Sequence, residues 1–214
     1  MVILMRKFLW LGLLLAGASL NVRAEILAPD VLIKSTAQEV LAIVKQDKDI
    51  QAGNQKRVLD LVDAKVLPHF NFTRMTRLAV GKHWRTATPE QRQALETEFR
   101  NMLVRTYTKA FSVYRDQAVQ IKPLKMAADA AEVTVKTVIV KPGTPSIPVD
   151  YDMEKTAEGW KVYDLSVEGV SLVTSYRSTF SEQIQKGGID GLIKTLVEKN
   201  RTASDAALNK ASSK

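Results

Sequence analysis

Thr88-Pro89-Glu90-Gln91 opens the stretch on which the fold turns. Thr88 and Gln91 have the spacing of a capping box, with proline at the first helical position, where a missing N–H is harmless. Behind them Leu95, Phe99, Met102, Leu103, Thr106, Tyr107, Ala110, Phe111 and Tyr114 recur every three or four residues. This spacing predicts one helix from Pro89 to about Arg115, ~40 Å long at ~1.5 Å per residue.

Upstream the chain reads as helices. Pro29-Asp30 starts one that carries Ile33, Ala37, Val40, Leu41 and Val44 on one face. After a polar stretch, Gln46 to Gln55, a second carries Val58, Leu59, Val62, Val66 and Leu67 and stops at Pro68. A short third runs through Met75, Leu78 and Ala79 to Gly81, a residue suited to ending a helix. Downstream the period changes to two. Ala118 to Ile121, Glu132 to Val140, Ile147 to Met153 and Trp160 to Val167 read as strands, with turns at Pro142-Gly143-Thr144-Pro145 and Ala157-Glu158-Gly159. Short turns between sequential strands predict an antiparallel meander. Leu172, Tyr176, Phe180 and Ile184 then restore a helix, which Gly187-Gly188 breaks before Ile189, Leu192, Ile193, Leu196 and Val197. The fold class expected is therefore α+β, several helices packed on one face of a curved antiparallel sheet.

The chain ends call for separate treatment. Arg6 and Lys7 precede an apolar run from Phe8 to Ala18, and Asn21-Val22-Arg23-Ala24 supplies a small-residue cleavage site. The run is too short for a ~30 Å hydrocarbon core, so residues 1–24 are expected to be a cleaved export signal. The expected product is exported, a single domain over 25–199 with a flexible polar tail over 200–214.

Composition narrows the chemistry. The 214 residues include no cysteine and two histidines, His69 and His83. That removes disulfides, thiolate metal sites and cysteine nucleophiles, and the histidines fit no metal or triad spacing. No metal and no cofactor is expected. The net charge is +8, and loss of Arg6, Lys7 and Arg23 lowers it to +5. In an exported protein this excess suits ordinary surface solvation as well as it suits an anionic lipid surface or an acidic partner protein, and it does not favour nucleic acid. An aromatic stripe at helical spacing is ordinarily core. The alternative is that it lines an apolar cavity beneath a folded sheet, because periodicity does not separate a filled interior from a hollow one.

Several motifs carry a resemblance: Val66-Leu67-Pro68-His69-Phe70-Asn71-Phe72, Leu78 to Arg85, Ala87-Thr88-Pro89-Glu90-Gln91, Gly159-Trp160-Lys161-Val162-Tyr163-Asp164 and Val167-Glu168-Gly169-Val170-Ser171-Leu172. In these the chain resembles the periplasmic phospholipid-binding proteins of the Mla (maintenance of lipid asymmetry) pathway, the toluene-tolerance auxiliary components of an ABC transporter, from about Pro29 to Lys199. The resemblance implies a nuclear-transport-factor-2-like fold with added helices around a hydrophobic lipid pocket. It implies a monomeric carrier of phospholipid between an inner-membrane ABC transporter complex, with its lipid-binding periplasmic ring, and an outer-membrane lipoprotein–porin complex, which maintains outer-membrane lipid asymmetry. Asn71 departs from it, since the family commonly has aspartate there, and the loop from Lys141 to Pro148 is proline-rich.

The lipid-binding candidates are Trp84, Phe99, Met102, Leu103, Tyr107, Phe111, Tyr114, Val135, Tyr151, Met153, Tyr163, Leu172, Tyr176 and Phe180. Lys82, Arg85, Arg115 and Arg177 are candidates for the headgroup at the mouth. Two rival readings remain. One is a small α+β cone enzyme, an isomerase or dehydratase using Asp150, Tyr151, Tyr163, Asp164 or Glu168; no catalytic residue is expected, because the carboxylates suit caps and turns better. The other is a chaperone-like module that holds extended peptides.

Overall fold

The structure, a computed structural model, describes residues 26–113 and 117–212, with side chains described over 26–108 and 117–202. The proposed export signal, Tyr114 and Arg115 lie outside the described residues, and Phe111 is described only as helical backbone.

Among the described residues six helices and five strands follow one another as α1 (Pro29–Gln46), α2 (Lys48–Gln51), α3 (Gln55–Lys65), α4 (Phe72–Val80), α5 (Pro89–Val113), β1 (Ala118–Ile121), β2 (Glu132–Val140), β3 (Ile147–Thr156), β4 (Gly159–Val167), β5 (Val170–Ser171) and α6 (Leu172–Ser212). Short 3₁₀ turns at Leu67–His69 and Gly81–Arg85 flank α4. The capping box forms: the Gln91 amide donates to Thr88 Oγ1 at 3.2 Å, and the Thr88 amide to Gln91 Oε1 at 3.0 Å. Asn71 Oδ1 caps α4 by accepting from the Arg74 amide at 2.9 Å, and Gly81, at φ 63°, ends that helix.

The strands form one antiparallel sheet in the order β1-β2-β3-β4-β5. Glu168 and Gly169, at φ 52° and 81°, join β4 to β5 in a tight hairpin whose twist needs positive φ at both residues. β5 leads straight into α6. Gly188 interrupts α6 at φ 69°, ψ −174°, where the sequence places a break. Past Asn200, where a tail is expected to begin, the helix continues to Ser212. The alanine and lysine content of that segment favours helix even without an apolar face.

Three hydrophobic cores result. One lies wholly among helices, with Met75, Leu95, Phe99, Leu103, Phe180, Leu192 and Leu196 buried between α4, α5 and α6. A second joins Leu32 and Ile33 of α1 to Val135, Met153, Trp160 and Val162 of the sheet. The third, Val40, Val44, Ile50, Val58 and Leu61, ties α1, α2 and α3. Phe70 packs against both the first and the second.

Candidate functional site

Strand register sorts the sheet into two faces. Val119 and Ile121 of β1, Val133, Val135, Thr137 and Ile139 of β2, Ile147, Val149, Tyr151 and Met153 of β3, and Val162, Leu165 and Val167 of β4 share one face. It is almost wholly apolar, and its one hydroxyl on β2, Thr137, is satisfied by the Val149 carbonyl at 2.8 Å. α1 closes one end of this face, where Val135, Met153 and Val162 are fully buried. Toward the other end Ile139, Ile147, Tyr151, Leu165 and Val167 are only half-buried. The long helix α5 packs on α3, α4 and α6, and the helical layer meets the sheet chiefly through α6 and α4 on β4 and α1 on β1 and β2. The half-covered end of the sheet therefore adjoins the start of α6, since Val167 pairs with Val170 two residues before Leu172.

The predicted lining residues divide accordingly. Phe99, Met102, Leu103 and Phe180 are buried in the helical core. There the Phe99 ring meets Phe180 edge-on at 5.1 Å and Tyr176 edge-on at 5.2 Å. Trp84 and Tyr176 border the same core half-buried, and Leu172 is half-buried at the start of α6. Val135 and Met153 sit in the sheet core, with Tyr151 at its margin. Burial pushes the Tyr151 phenol above its ordinary pKa, opposed by a bond with Thr137. Tyr107 stands 39% exposed on α5. The aromatic candidates thus divide between two cores, Phe99, Tyr176 and Phe180 among the helices and Tyr151 beside the sheet, and the structure does not bring all of them into contact.

Tyr163 lies on the other side. A register shift pairs Asp152 with Asp164 but Met153 with Val162, so Tyr163 is the extra residue of a β-bulge. Its ring lies under the Arg74 guanidinium, 3.5 Å from ring centroid to carbon, and its hydroxyl meets Glu132 at 3.2 Å. Burial first, then the nearby Glu132 and Asp152 carboxylates, push the phenol up to about 12. Simple alternation would have kept it among the inward residues; the bulge moves it out.

The cationic candidates also receive places. Lys82 and Arg85 are exposed on the 3₁₀ turn after α4. Arg177 Nε donates to the Leu78 carbonyl at 3.0 Å and so satisfies one of the last carbonyls of α4. Of the carboxylates weighed for catalysis, Asp164 is buried as a cap: Oδ1 accepts from the Leu165 amide at 2.7 Å and the Val173 amide at 3.1 Å, and Oδ2 takes the Ser171 hydroxyl. Asp150 pairs across with Lys136 and Ser166 on the outer face. No cluster of histidine and carboxylate side chains suited to a metal ion occurs among the described residues. Outside the sheet's apolar face, an open cleft of about 420 Å³ runs beside Phe70, Asn71, Phe72, Glu96, Thr156 and Lys161. It contains none of the lining candidates.

What sequence reasoning missed on the apolar face is Leu165, Val167, Ile139 and Ile147. All four follow from strand alternation once the register is known, which a single strand's pattern does not supply.

Known proteins are similar to this chain. The solved phospholipid-binding protein from Ralstonia solanacearum, in complex with a phospholipid, superimposes with a TM-score of 0.77 at 38% identity, covering 82% of this chain and 98% of that one. The toluene tolerance protein ttg2D of Pseudomonas putida is 28% identical over 191 residues, 89% of this chain and 87% of its own. The intermembrane phospholipid transport system binding protein MlaC of Haemophilus influenzae is 26% identical over 175 residues, 78% and 79% of the two chains. The family model described as MlaC protein matches residues 34–198, and the chain belongs to the MlaC family.

Proposed function

We propose that this protein is a periplasmic phospholipid carrier, which holds acyl chains between the α5–α6 wall and the half-covered end of the sheet and passes lipid between inner- and outer-membrane complexes. The observation that carries this reading is the apolar sheet face, closed by α1 at one end and half-buried at Ile139, Ile147, Tyr151, Leu165 and Val167 toward the other. The likeness to the Ralstonia protein with its phospholipid supports the same ligand class. The protein acts as a binding protein and not an enzyme, as its family does.

Affinity needs little polar chemistry. Each methylene taken out of water contributes ~0.8 kcal/mol, so two acyl chains between apolar walls are held strongly while the headgroup stays solvated. We assign Tyr107, Tyr151, Leu172 and Tyr176 to contact with such chains, and the exposed Lys82 and Arg85 to the phosphate. Loading requires the two walls to part, and the Gly188 break in α6 is a site where the backbone can yield.

Protein purified without detergent should release near-stoichiometric diacyl phospholipid into organic solvent, identified by mass spectrometry. It should also deliver labelled lipid to liposomes bearing the transporter complex. Lipid-free protein that fails to take up phospholipid would refute the carrier reading, and uptake without delivery would limit it to storage.

A further inference from the structure

Two kinds of partner hold the cations of this chain. Around α1, α3 and the start of α4 they meet carboxylates: Arg57 lies against Asp47, Lys65 against Glu39, Arg100 against Asp63, and Arg74 against Glu132 and Glu154, at 2.6–2.9 Å. Past the end of α4 they meet backbone carbonyls instead. Arg177 Nε donates to the Leu78 carbonyl at 3.0 Å. Arg92 Nε donates to the Trp84 carbonyl at 3.2 Å, and Nη2 to that of Arg85 at 3.4 Å. A carboxylate cancels the charge of a guanidinium; a carbonyl fixes the group and leaves its net charge in place.

These fixed charges have neighbours of the same sign. Arg77 stands four residues before Gly81 on one side of α4, and a Cβ at Gly81 would lie 3.9 Å from Arg177 Nε. Lys82 and Arg85 are three apart on the next 3₁₀ turn, where such positions eclipse. Arg77, Lys82, Arg85 and Arg177 are exposed, and among the described residues none of the four pairs with a carboxylate. Two acids stand at the α5 cap that follows: Glu90 in the first turn of the helix, and Asp190, which accepts from the Gln91 side chain at 2.8 Å. The half-buried Trp84 ring lies among the cations, 5.5 Å from the Arg92 guanidinium.

Four cations on three elements suit a diffuse negative surface better than a single carboxylate, which is gripped by donors converging on one point. An indole among them suits the headgroup layer of a membrane, where tryptophan is enriched. We propose that this face, formed by the end of α4, the turn after it and the second turn of α6, is an electrostatic docking surface for an anionic lipid bilayer. Arg177 is ~7.5 Å of helix past Leu172, so a docked protein holds the half-covered end of the sheet close to the leaflet. Lys82 and Arg85, assigned above to the phosphate of a cargo lipid, offer the same chemistry to the phosphates of a bilayer. Arg77 has no part in that assignment and tells the two sources apart.

The test is sedimentation of the full mature protein with vesicles of phosphatidylcholine, alone or with about one third phosphatidylglycerol. Wild type should bind the anionic vesicles at least roughly tenfold more tightly, and should be released as salt rises from ~0.02 M to ~0.5 M. Arg77→Glu puts an anion in place of an exposed cation. It should weaken anionic binding about tenfold, with copurified phospholipid at the wild-type level. Lys45→Glu, the same change of net charge on α1, should weaken it by no more than about twofold. Equal binding to neutral and anionic vesicles, or an equal loss in the two variants, would overturn the docking face. Failure to bind vesicles, with Arg77→Glu impairing association with the reconstituted transporter complex, would assign the face to an acidic protein instead. The carrier reading fails separately: protein that takes up no phospholipid would refute it and could still bind the anionic vesicles.

Discussion

Asn71 and Glu154 lie 83 residues apart in the chain, yet Asn71 Nδ2 donates to Glu154 Oε1 at 2.7 Å. The other Glu154 oxygen takes Arg74 at 2.6 Å, and Arg74 reaches Glu132 at 2.7 Å. One cap residue thereby ties the first turn of α4 to the outer face of the sheet. An aspartate at this position would serve the cap equally well but would face Glu154 with a second carboxylate. Asn71→Asp should cost about 1–2 kcal/mol, since a part-buried bond is replaced by repulsion. The loss should shrink by half or more in a Glu154→Gln background. Urea unfolding of the four proteins in a double-mutant cycle measures this coupling; additive losses would mean that Asn71 acts through the cap alone.

Asp164 is a buried carboxylate with three donors, the Leu165 amide of its own strand, the Ser171 hydroxyl of β5 and the Val173 amide of α6. Asp164→Ala should cost about 2 kcal/mol, because two amides and a hydroxyl lose their acceptor. Lipid content of the folded fraction should stay normal. A variant with full stability and lost lipid would make Asp164 a site residue instead of a cap.

Gly188 combines φ 69° with ψ −174°, a region nearly closed to residues with a Cβ, although a Cβ there would meet nothing within 4 Å. Gly188→Ala therefore isolates backbone strain. We expect a loss of about 1–3 kcal/mol. If the two segments of α6 instead straightened into one helix, stability would be kept and far-ultraviolet circular dichroism would rise. Thermal unfolding and the helical signal together decide between these.

His69 is held below its usual 6.5, chiefly by burial and then by the charge of Lys161. The folded state favours the neutral ring, so the unfolded chain takes up the proton first as the pH falls. Stability from this source is complete above pH 6.5 and is lost as the pH drops from there through the folded value. His69→Gln should flatten that part of the curve when unfolding is followed from about pH 8 to about pH 5. An unchanged slope would assign the acid sensitivity to other groups.

Leu165 lies half-buried on the apolar sheet face beside Tyr151. Leu165→Arg should fold, because the long side chain can reach water from a half-buried position. It should carry far less phospholipid, since a charge among acyl chains has no partner. Normal lipid content in the folded variant would remove this end of the sheet from the binding wall.

Much of this architecture is legible in the chain. Thr88 and Gln91 form the capping box their spacing announces, and Gly188 breaks α6 where the glycine pair stands. The meander follows from alternation and turn residues. Three features escape such reading. α2 hides in a polar stretch because four residues with a single buried isoleucine, Ile50, have no period to detect. Tyr163 leaves its expected face because a bulge is a property of two strands in register, not of one strand's pattern. The aromatic residues of α5 and β3 join different cores, since periodicity gives the face a residue occupies but not its partner across the gap.

Phe70 has a mechanical consequence. It alone among the named core residues packs against both the helical and the sheet core, and its amide neighbour Asn71 is bonded to the Val162 carbonyl at 2.8 Å. In the carrier proposed above, we expect the two interiors to separate as a pair of jaws about this point, each keeping its own packing while the space between them widens. Cargo would be admitted by rotating solid pieces, not by melting them, so the gape should appear in scattering profiles and spin-label distances and leave deep amide protection in both cores untouched.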